Sequence, residues 1–290
     1  MIKDNELKES IDNYLISRGL RYADKTKKQL VWLLNKNTYT SKSIISELEK
    51  TRLFFELRGY QFIRDCSSNY LRQFNTGSKV ELRPKIAGIQ DYKDNNIEGN
   101  FAELIYCTRF NDCEDTSRHY PGFFMLGLHS FKVDKIPSLL FHLETVVDFF
   151  RSKGITNIYW DSWTDGHYKG NCIEFFKDDI EIANLVFIKR DDRIIIDLGI
   201  GWERYCNLVG LSLPTREVLL TLTNILFYLN NLKPGRRGIE DNIKRVVRIT
   251  RSENLSENVD KAIEYWLDHT LEDLRPKKKE IIEYLQQILR

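Results

Sequence analysis

This sequence lacks the marks of disulfide scaffolds, of membrane spans and of the commonest catalytic sites. Its five cysteines, Cys66, Cys107, Cys113, Cys172 and Cys206, are an odd number and include no Cys-x-x-Cys pair. That excludes a disulfide framework and a zinc ribbon, and it points to a reduced, cytoplasmic chain. No run of about 18 apolar residues occurs, so no membrane partner is expected. The first residues, Met1 to Lys8, are charged and lack the apolar stretch of a secretory signal. There is no GxxxxGKS or GxxxxGKT phosphate loop, no strand-associated GxGxxG, no GxSxG elbow and no HExxH. The five histidines, His119, His129, His142, His167 and His269, show no metal-ligand spacing. An excess of charge is missing too: 44 Lys and Arg stand against 42 Asp and Glu, so the global balance selects no partner.

What is present suits a large core. The 290 residues are 42% hydrophobic and 12% aromatic, which excludes disordered and low-complexity classes. The length fits about two domains, or one large domain with appendages. Residues 1–50 read as a polar helical extension with a partial stripe of Leu7, Ile11, Tyr14, Leu15 and Ile16, and with short helices over Lys25–Leu34 and Ser41–Leu48. Residues 51–232 form the main unit. Its segments Glu103–Arg109, Gly122–Phe131, Thr156–Trp160, Cys172–Phe176, Ala183–Lys189 and Ile194–Leu198 read as strands, too closely spaced for alternating βαβ units. One helix, Pro137–Lys153, interrupts them, with Pro137 suited to its first turn and Gly154 to its stop. Residues 233–290 read as a basic helical region. The predicted fold is α+β: a mostly antiparallel sheet flanked by helices, with helical extensions at both ends.

Three clusters carry candidate chemistry. In the first, Arg109 ends one strand and Arg118 and His119 precede the next. Two arginines converging on a sheet face can clamp a polyphosphate, because guanidinium is a planar fork of donors that keeps its charge; a plain hairpin with surface arginines fits the same spacing. In the second, Glu174 and Asn184 interrupt otherwise apolar strands, and a buried polar group needs a partner, either a ligand or an internal hydrogen bond. In the third, Asp197-Leu-Gly-Ile-Gly-Trp-Glu-Arg204 closes a strand and opens a helix. Its glycines let backbone or ligand approach closely, Arg204 can meet an anion, and Asp197 can meet an ammonium. A strand–turn–helix with no ligand is equally compatible.

In order and spacing these clusters resemble the catalytic domain of alanyl-tRNA synthetase, a class II aminoacyl-tRNA synthetase. Ser67-Ser68-Asn69-Tyr70-Leu71 and Ile86-Ala87-Gly88-Ile89-Gln90 are similar to the family's first motif region. Arg118-His119, Phe123-Phe124-Met125-Leu126-Gly127 and Ser130-Phe131 resemble RHxTFFEMLGNFSF. Trp163, Gly166 and Cys172-Ile173-Glu174 resemble WxMG and GPCSEI; Glu181 to Phe187 resembles EIWNLVF; Asp197 to Arg204 resembles DTGMGLER. A weaker likeness continues from Pro234 to Arg248, toward the start of the family's tRNA-recognition region.

The resemblance implies a six- or seven-stranded antiparallel sheet that binds ATP with Mg2+ and activates alanine or another small amino acid as an aminoacyl-adenylate. On it, Arg109 would hold the α-phosphate and Arg204 the γ-phosphate, as the catalytic pair. Arg118, His119, Phe123 and Gly201 would complete the ATP site. Asp197 would receive the substrate's ammonium, Gly199 would line the amino-acid site, and Ile89, Trp163 and Val186 would wall a small pocket; Glu174 is the candidate metal ligand. Lys233–Arg251 holds seven basic residues against Glu240 and Asp241. Within it Arg236, Arg237, Lys244, Arg245 and Arg248 are candidate acceptor contacts; a solvated helix face is the plainer alternative.

The acceptor is a tRNA, a carrier protein or a small molecule, and a homodimer is allowed. The chain departs from the family in a shortened loop after Arg109, in Ala183 standing for the Trp of EIWNLVF, and in the lack of GPCGP prolines. It would also be a truncated form, without editing and C-terminal domains. These departures motivate the other hypothesis, a catalytically silent paralogue with a regulatory or tRNA-binding role.

Overall fold

Long alternating runs of Ile, Leu, Val and Phe form the strands, and their register decides what each face of the sheet carries. The computed structural model describes residues 4–22, 41–63, 72–76, 79–83, 99–110, 120–133, 135–165, 168–177, 180–190 and 193–290. Among these residues, ten strands form one sheet: β1 (Arg21–Tyr22), β2 (Gln61–Ile63), β3 (Arg72–Thr76), β4 (Lys79–Arg83), β5 (Asn100–Arg109), β6 (Gly122–Val133), β7 (Asn157–Asp165), β8 (Tyr168–Lys177), β9 (Ile180–Arg190) and β10 (Arg193–Gly201). Their order is β1-β7-β8-β9-β10-β6-β5-β4-β3, with β2 also on β5. All pairings are antiparallel except β1 with β7 and β2 with β5. The sheet is therefore wider than the six or seven strands the resemblance implied. The additions are short edge strands, β1 to β4, of two to five residues.

Eight α-helices accompany the sheet among the described residues: α1 (Asp4–Ser17), α2 (Ser41–Glu56), α3 (Ile136–Ser152), α4 (Trp202–Leu208), α5 (Arg216–Leu229), α6 (Ile239–Ile249), α7 (Leu255–His269) and α8 (Lys278–Ile288). The crossover helix α3 carries the chain from β6 to β7, near the far edge. It starts with Pro in its first turn and buries Leu139, Leu143, Val146, Val147 and Phe150. It stops at Gly154, whose φ of 73° places it in the left-handed region where glycine is favoured. Ile155 N–H then reaches back to the Phe150 carbonyl at 3.0 Å.

One apolar core joins α1 (Leu7, Ile11, Leu15), the even-numbered face of β5 and β6 (Leu104, Tyr106, Phe124, Leu126), α5 and α7. The division expected at 50/51 falls inside α2, and the first and last helices pack into this same core. The helix expected over Lys25–Leu34 lies outside the described residues. At the sheet edge, Trp160 Nε1 of β7 donates to Tyr22 Oη at 2.8 Å and to Asp12 Oδ1 at 2.5 Å, tying α1 and β1 down.

Close packing between β6 and α5 depends on Gly122: a Cβ there would lie 2.0 Å from Tyr106 Oη and 2.4 Å from Thr223 Oγ1. Those two hydroxyls bond each other at 2.8 Å. Glu203, on α4, fixes the next contact. Its carboxylate accepts from Phe124 N–H at 2.9 and 3.0 Å and from Tyr265 Oη at 3.0 Å. Burial pushes the Glu203 carboxyl up to about 7 against those hydrogen bonds.

Candidate active site on the polar face of the sheet

Strand alternation sorts the candidate residues. Core-facing positions take the apolar partners, and the opposite face takes the polar ones. Cross-strand partners on that second face form rows. One row runs Tyr159, Glu174, Asn184, Gly199, Gly127, Glu103 across β7, β8, β9, β10, β6 and β5. The next runs Asp161, Cys172, Val186, Asp197, His129, Phe101 across the same strands. Residues more than 90 positions apart in sequence, such as Glu103 and Asp197, thereby come to flank one side chain, that of His129.

Gly199 and Gly127 are paired at the middle of the first row, so neither position carries a side chain of its own, and the side chains of Met125 and His129 lie over them. A Cβ on Gly199 would come 3.2 Å from Met125 Sδ, and one on Gly127 would come 2.6 Å from His129 Nε2. The trough between Glu174 and Asn184 on one side and Glu103 on the other thus holds the His129 ring and Met125 near its middle, with Asp197 beside them. Beside it, Val186 is buried with Phe131, Cys172, Ile188 and Ile195 in a small apolar cluster.

The charged centre of the trough is a chain of three groups. His129 donates from Nε2 to Glu103 Oε1 at 2.7 Å, and its Nδ1 lies 2.6 Å from Asp197 Oδ1. The second contact is a close approach of charges rather than an aligned hydrogen bond. His129 and Glu103 are buried, whereas the Asp197 side chain keeps 23% of its surface exposed, so that carboxylate alone opens to solvent. Burial pulls the imidazole pKa down, but the two carboxylates outweigh it and hold it at about 10. At neutral pH the trio thus consists of two carboxylates and one imidazolium. Neither Glu103 nor His129 was singled out in the sequence; a Glu in the apolar run Phe101–Cys107 was the available signal.

The remaining candidates take the following places. Phe123 is half-buried beside Ile105, Cys107 and Met125, at the β5–β6 end of the face. Arg109 occupies the last position of β5, opposite Glu81. Trp163 sits on β7 opposite Gly170. Gly201 is the residue before α4, and in the first turn of that helix Arg204 donates to the Glu181 carbonyl at 2.6 Å. Glu174 is buried, cross-strand from Asn184. Among the described residues, no three His, Cys, Asp or Glu side chains gather as a metal-binding group. Ile89, Arg118 and His119 lie outside the described residues, as do both halves of the first motif region.

The basic region is joined to the Arg109 end of the sheet. Phe110, the residue after Arg109, is buried with Leu220 and Phe227 of α5 and with Ile243, Val246 and Val247 of α6. Its ring stacks on Phe227 with centroids 5.9 Å apart. With that side of α6 packed inward, Lys244, Arg245 and Arg248 occupy the outer side, where Arg245 pairs with Asp241 at 3.4 Å. Arg236 and Arg237 are exposed in the segment just before α6. No helix of the described residues is long and apolar enough to cross a membrane.

No family model matches this chain. Among curated proteins it is 28% identical over 147 aligned residues to an alanine–tRNA ligase of Methanocella arvoryzae, a match covering 41% of this chain and 17% of that protein. It is 31% identical over 117 residues to an alanine–tRNA ligase of Nitrosopumilus maritimus, covering 34% of this chain and 13% of that one. The chain thus spans less than a fifth of the length of the curated relatives it matches. Two solved structures of pyrrolysyl-tRNA synthetase from Desulfitobacterium hafniense overlay 72% of this chain, with TM-scores of 0.32 and 0.33, at 17% and 18% identity and over 70% and 67% of their own lengths. The likeness to alanyl-tRNA synthetase read from the motifs is therefore present in the whole-sequence comparison as well.

Proposed function

We propose that this protein activates alanine or another small amino acid with ATP, forming an aminoacyl-adenylate and pyrophosphate, and then passes the aminoacyl group to an acceptor. The observation that carries this reading is the shared register of Asp197, Gly199, Val186 and Glu174 on one face of the sheet, with Phe123 and the Arg109 position at its end. The similarity to two alanine–tRNA ligases supports it.

In this reading Asp197 receives the substrate ammonium, and Gly199, with only Met125 close to it on that face, lets the substrate backbone approach. Val186 limits the side chain. The substrate carboxylate attacks the α-phosphorus and pyrophosphate leaves, with Arg109 and Arg204 facing the phosphates. Glu174 suits a Mg2+ ion held mainly by the nucleotide's own phosphates, which needs only one or two protein carboxylates and supplies charge neutralisation when bound. The acceptor approaches over α6, whose inner side packs at the Arg109 end and whose outer side carries the basic residues. A tRNA fits that charge; a carrier protein or a small molecule fits the remainder of the site equally. The first motif region suits a homodimer.

Amino-acid-dependent ATP–pyrophosphate exchange tests the proposal. Exchange with alanine, glycine or serine supports it, and silence from folded protein with any standard amino acid, β-alanine or D-alanine contradicts it. One observation favours a second reading, a silent paralogue acting as a regulatory or tRNA-binding subunit: the Arg204 guanidinium is already engaged by the Glu181 carbonyl. Exchange that disappears in Arg204→Ala would remove this alternative.

A further inference from the structure

The trio at the centre of the trough is built with more restraint than a core histidine needs. Glu103 anchors one ring nitrogen at 2.7 Å, and Asp197 Oδ1 lies 2.6 Å from the other. Phe131 stacks on the ring, with planes 14° apart and centroids 5.9 Å apart. The ring reaches Glu103 only because the intervening position is Gly127, where any Cβ would meet Nε2 at 2.6 Å. All of this fixes one group, the Asp197 carboxylate, which is the member of the trio that faces out.

We propose that Glu103 and His129 are a positioning pair for Asp197: the anchored imidazole holds Oδ1, so that the other carboxylate oxygen receives the single ammonium group of a small amine with no further positive charge. This deepens the reading above, in which that amine is an α-amino acid, and rests on it for the ligand's identity only.

The charge balance sets the ligand class. Two carboxylates around one imidazolium leave one net negative charge, which matches one ammonium. Glu174 and Cys172 of β8 and Tyr159 of β7 are the other titratable groups described in these two rows; Asn184 separates Glu174 from Gly199, and Val186 separates Cys172 from Asp197. Beyond Asp197 the row continues into Val186 and Cys172, both buried in a small apolar cluster, before it reaches the Asp161 position, so a second cation on a small ligand would meet apolar surface next to Asp197.

The test follows the His129 ring by NMR in the full chain with 15N-labelled histidine, between about pH 6 and 8.5. The probes are glycine, L-alanine and L-serine, with N-acetyl-L-alanine as the control lacking an ammonium. The expected result is a shift of the His129 nitrogens with at least one free amino acid and none with the blocked one. In wild type the affinity is flat across the range, because the ring stays cationic. In Glu103→Gln the imidazolium cancels Asp197, so the amine binds about tenfold more weakly at low pH and recovers as the ring loses its proton. That new pH step, with ATP affinity unchanged, is something a merely structural pair would not produce.

If Glu103→Gln does not fold, Glu103→Asp, which keeps the charge but withdraws it by one methylene, gives the same step at higher pH. An equal shift with N-acetyl-L-alanine, no shift with any of the three, or a flat profile in the folded variant overturns the proposal. Exchange activity without a ring shift overturns this proposal alone. A ring shift without exchange overturns the activating reading and leaves this one standing.

Discussion

Raising the pH from 7 to 8.5 removes stability from this protein, and the structure gives the size. His129 is buried between Glu103 and Asp197, and its folded pKa is raised to about 10, against roughly 6.5 for an exposed histidine. A raised pKa means that the folded state holds a proton the unfolded chain has released. Stability from this group is complete below about pH 6.5 and declines until the folded ring titrates near 10. Within that window the slope is ~1.4 kcal/mol per pH unit, or about 2 kcal/mol from pH 7 to 8.5.

Two other groups act at lower pH with opposite signs. Glu203, raised to about 7, makes stability fall from roughly pH 4.5 to 7, whereas His142, lowered to about 4 by burial, makes it rise from about 4 to 6.5. They largely offset each other below 6.5 and leave His129 to dominate above 7, until the buried Cys206 thiol, also raised by burial, adds to the decline near the usual thiol range. Urea unfolding at pH 7.0, 7.5, 8.0 and 8.5 measures the slope, and the Glu103→Gln/His129→Gln double variant supplies the control, with little slope of its own. Stability that is flat or rising across this interval in wild type would refute the assignment of a paired imidazolium.

Three further outcomes are expected. Gly122→Ala lowers stability by about 1–3 kcal/mol, read as a lower Tm, because its methyl group overlaps the Tyr106 and Thr223 hydroxyls; an unchanged Tm would mean that β6 and α5 pack less tightly than described. Glu203→Ala leaves Phe124 N–H and Tyr265 Oη buried without their acceptor and costs about 1–3 kcal/mol in chemical unfolding. Replacing Lys244, Arg245 and Arg248 together by Ala leaves the melting curve nearly unchanged. It weakens binding of bulk tRNA and lowers the salt slope by roughly one per residue that touches a phosphate; filter binding at two salt concentrations decides, and an unaltered slope would take α6 out of the acceptor path.

Local chemistry made much of this fold readable. Pro137 and Gly154 bracket α3 within a residue or two, and the apolar and aromatic runs of β5, β6, β9 and β10 declare themselves as strands. The short edge strands do not: Arg72–Thr76 and Lys79–Arg83 are polar, and β1 and β2 have two and three residues, so their strand character comes from pairing with neighbours. The helix pieces read on either side of residue 50 are one helix, because the Phe54–Phe55 turn continues the buried side of Ile44 and Leu48 into the same core.

The site divides in the same way. Asp197, Gly199 and Glu174 stand out as polar or small positions in apolar strands. The Glu103–His129–Asp197 link is invisible there because it depends on the register of three strands, a long-range property that local spacing does not encode. His129 also falls where the RHxTFFEMLGNFSF pattern has a Phe, so the motif gave no reason to look there.

The most direct test of the central proposal is ATP–pyrophosphate exchange with alanine, glycine and serine, in wild type and in Asp197→Asn. Exchange in wild type with at least one of these, and an amino-acid KM raised tenfold or more in the variant while the ATP KM holds, is the predicted result. Exchange undiminished by loss of the Asp197 charge, or absent from folded wild-type protein, would contradict it.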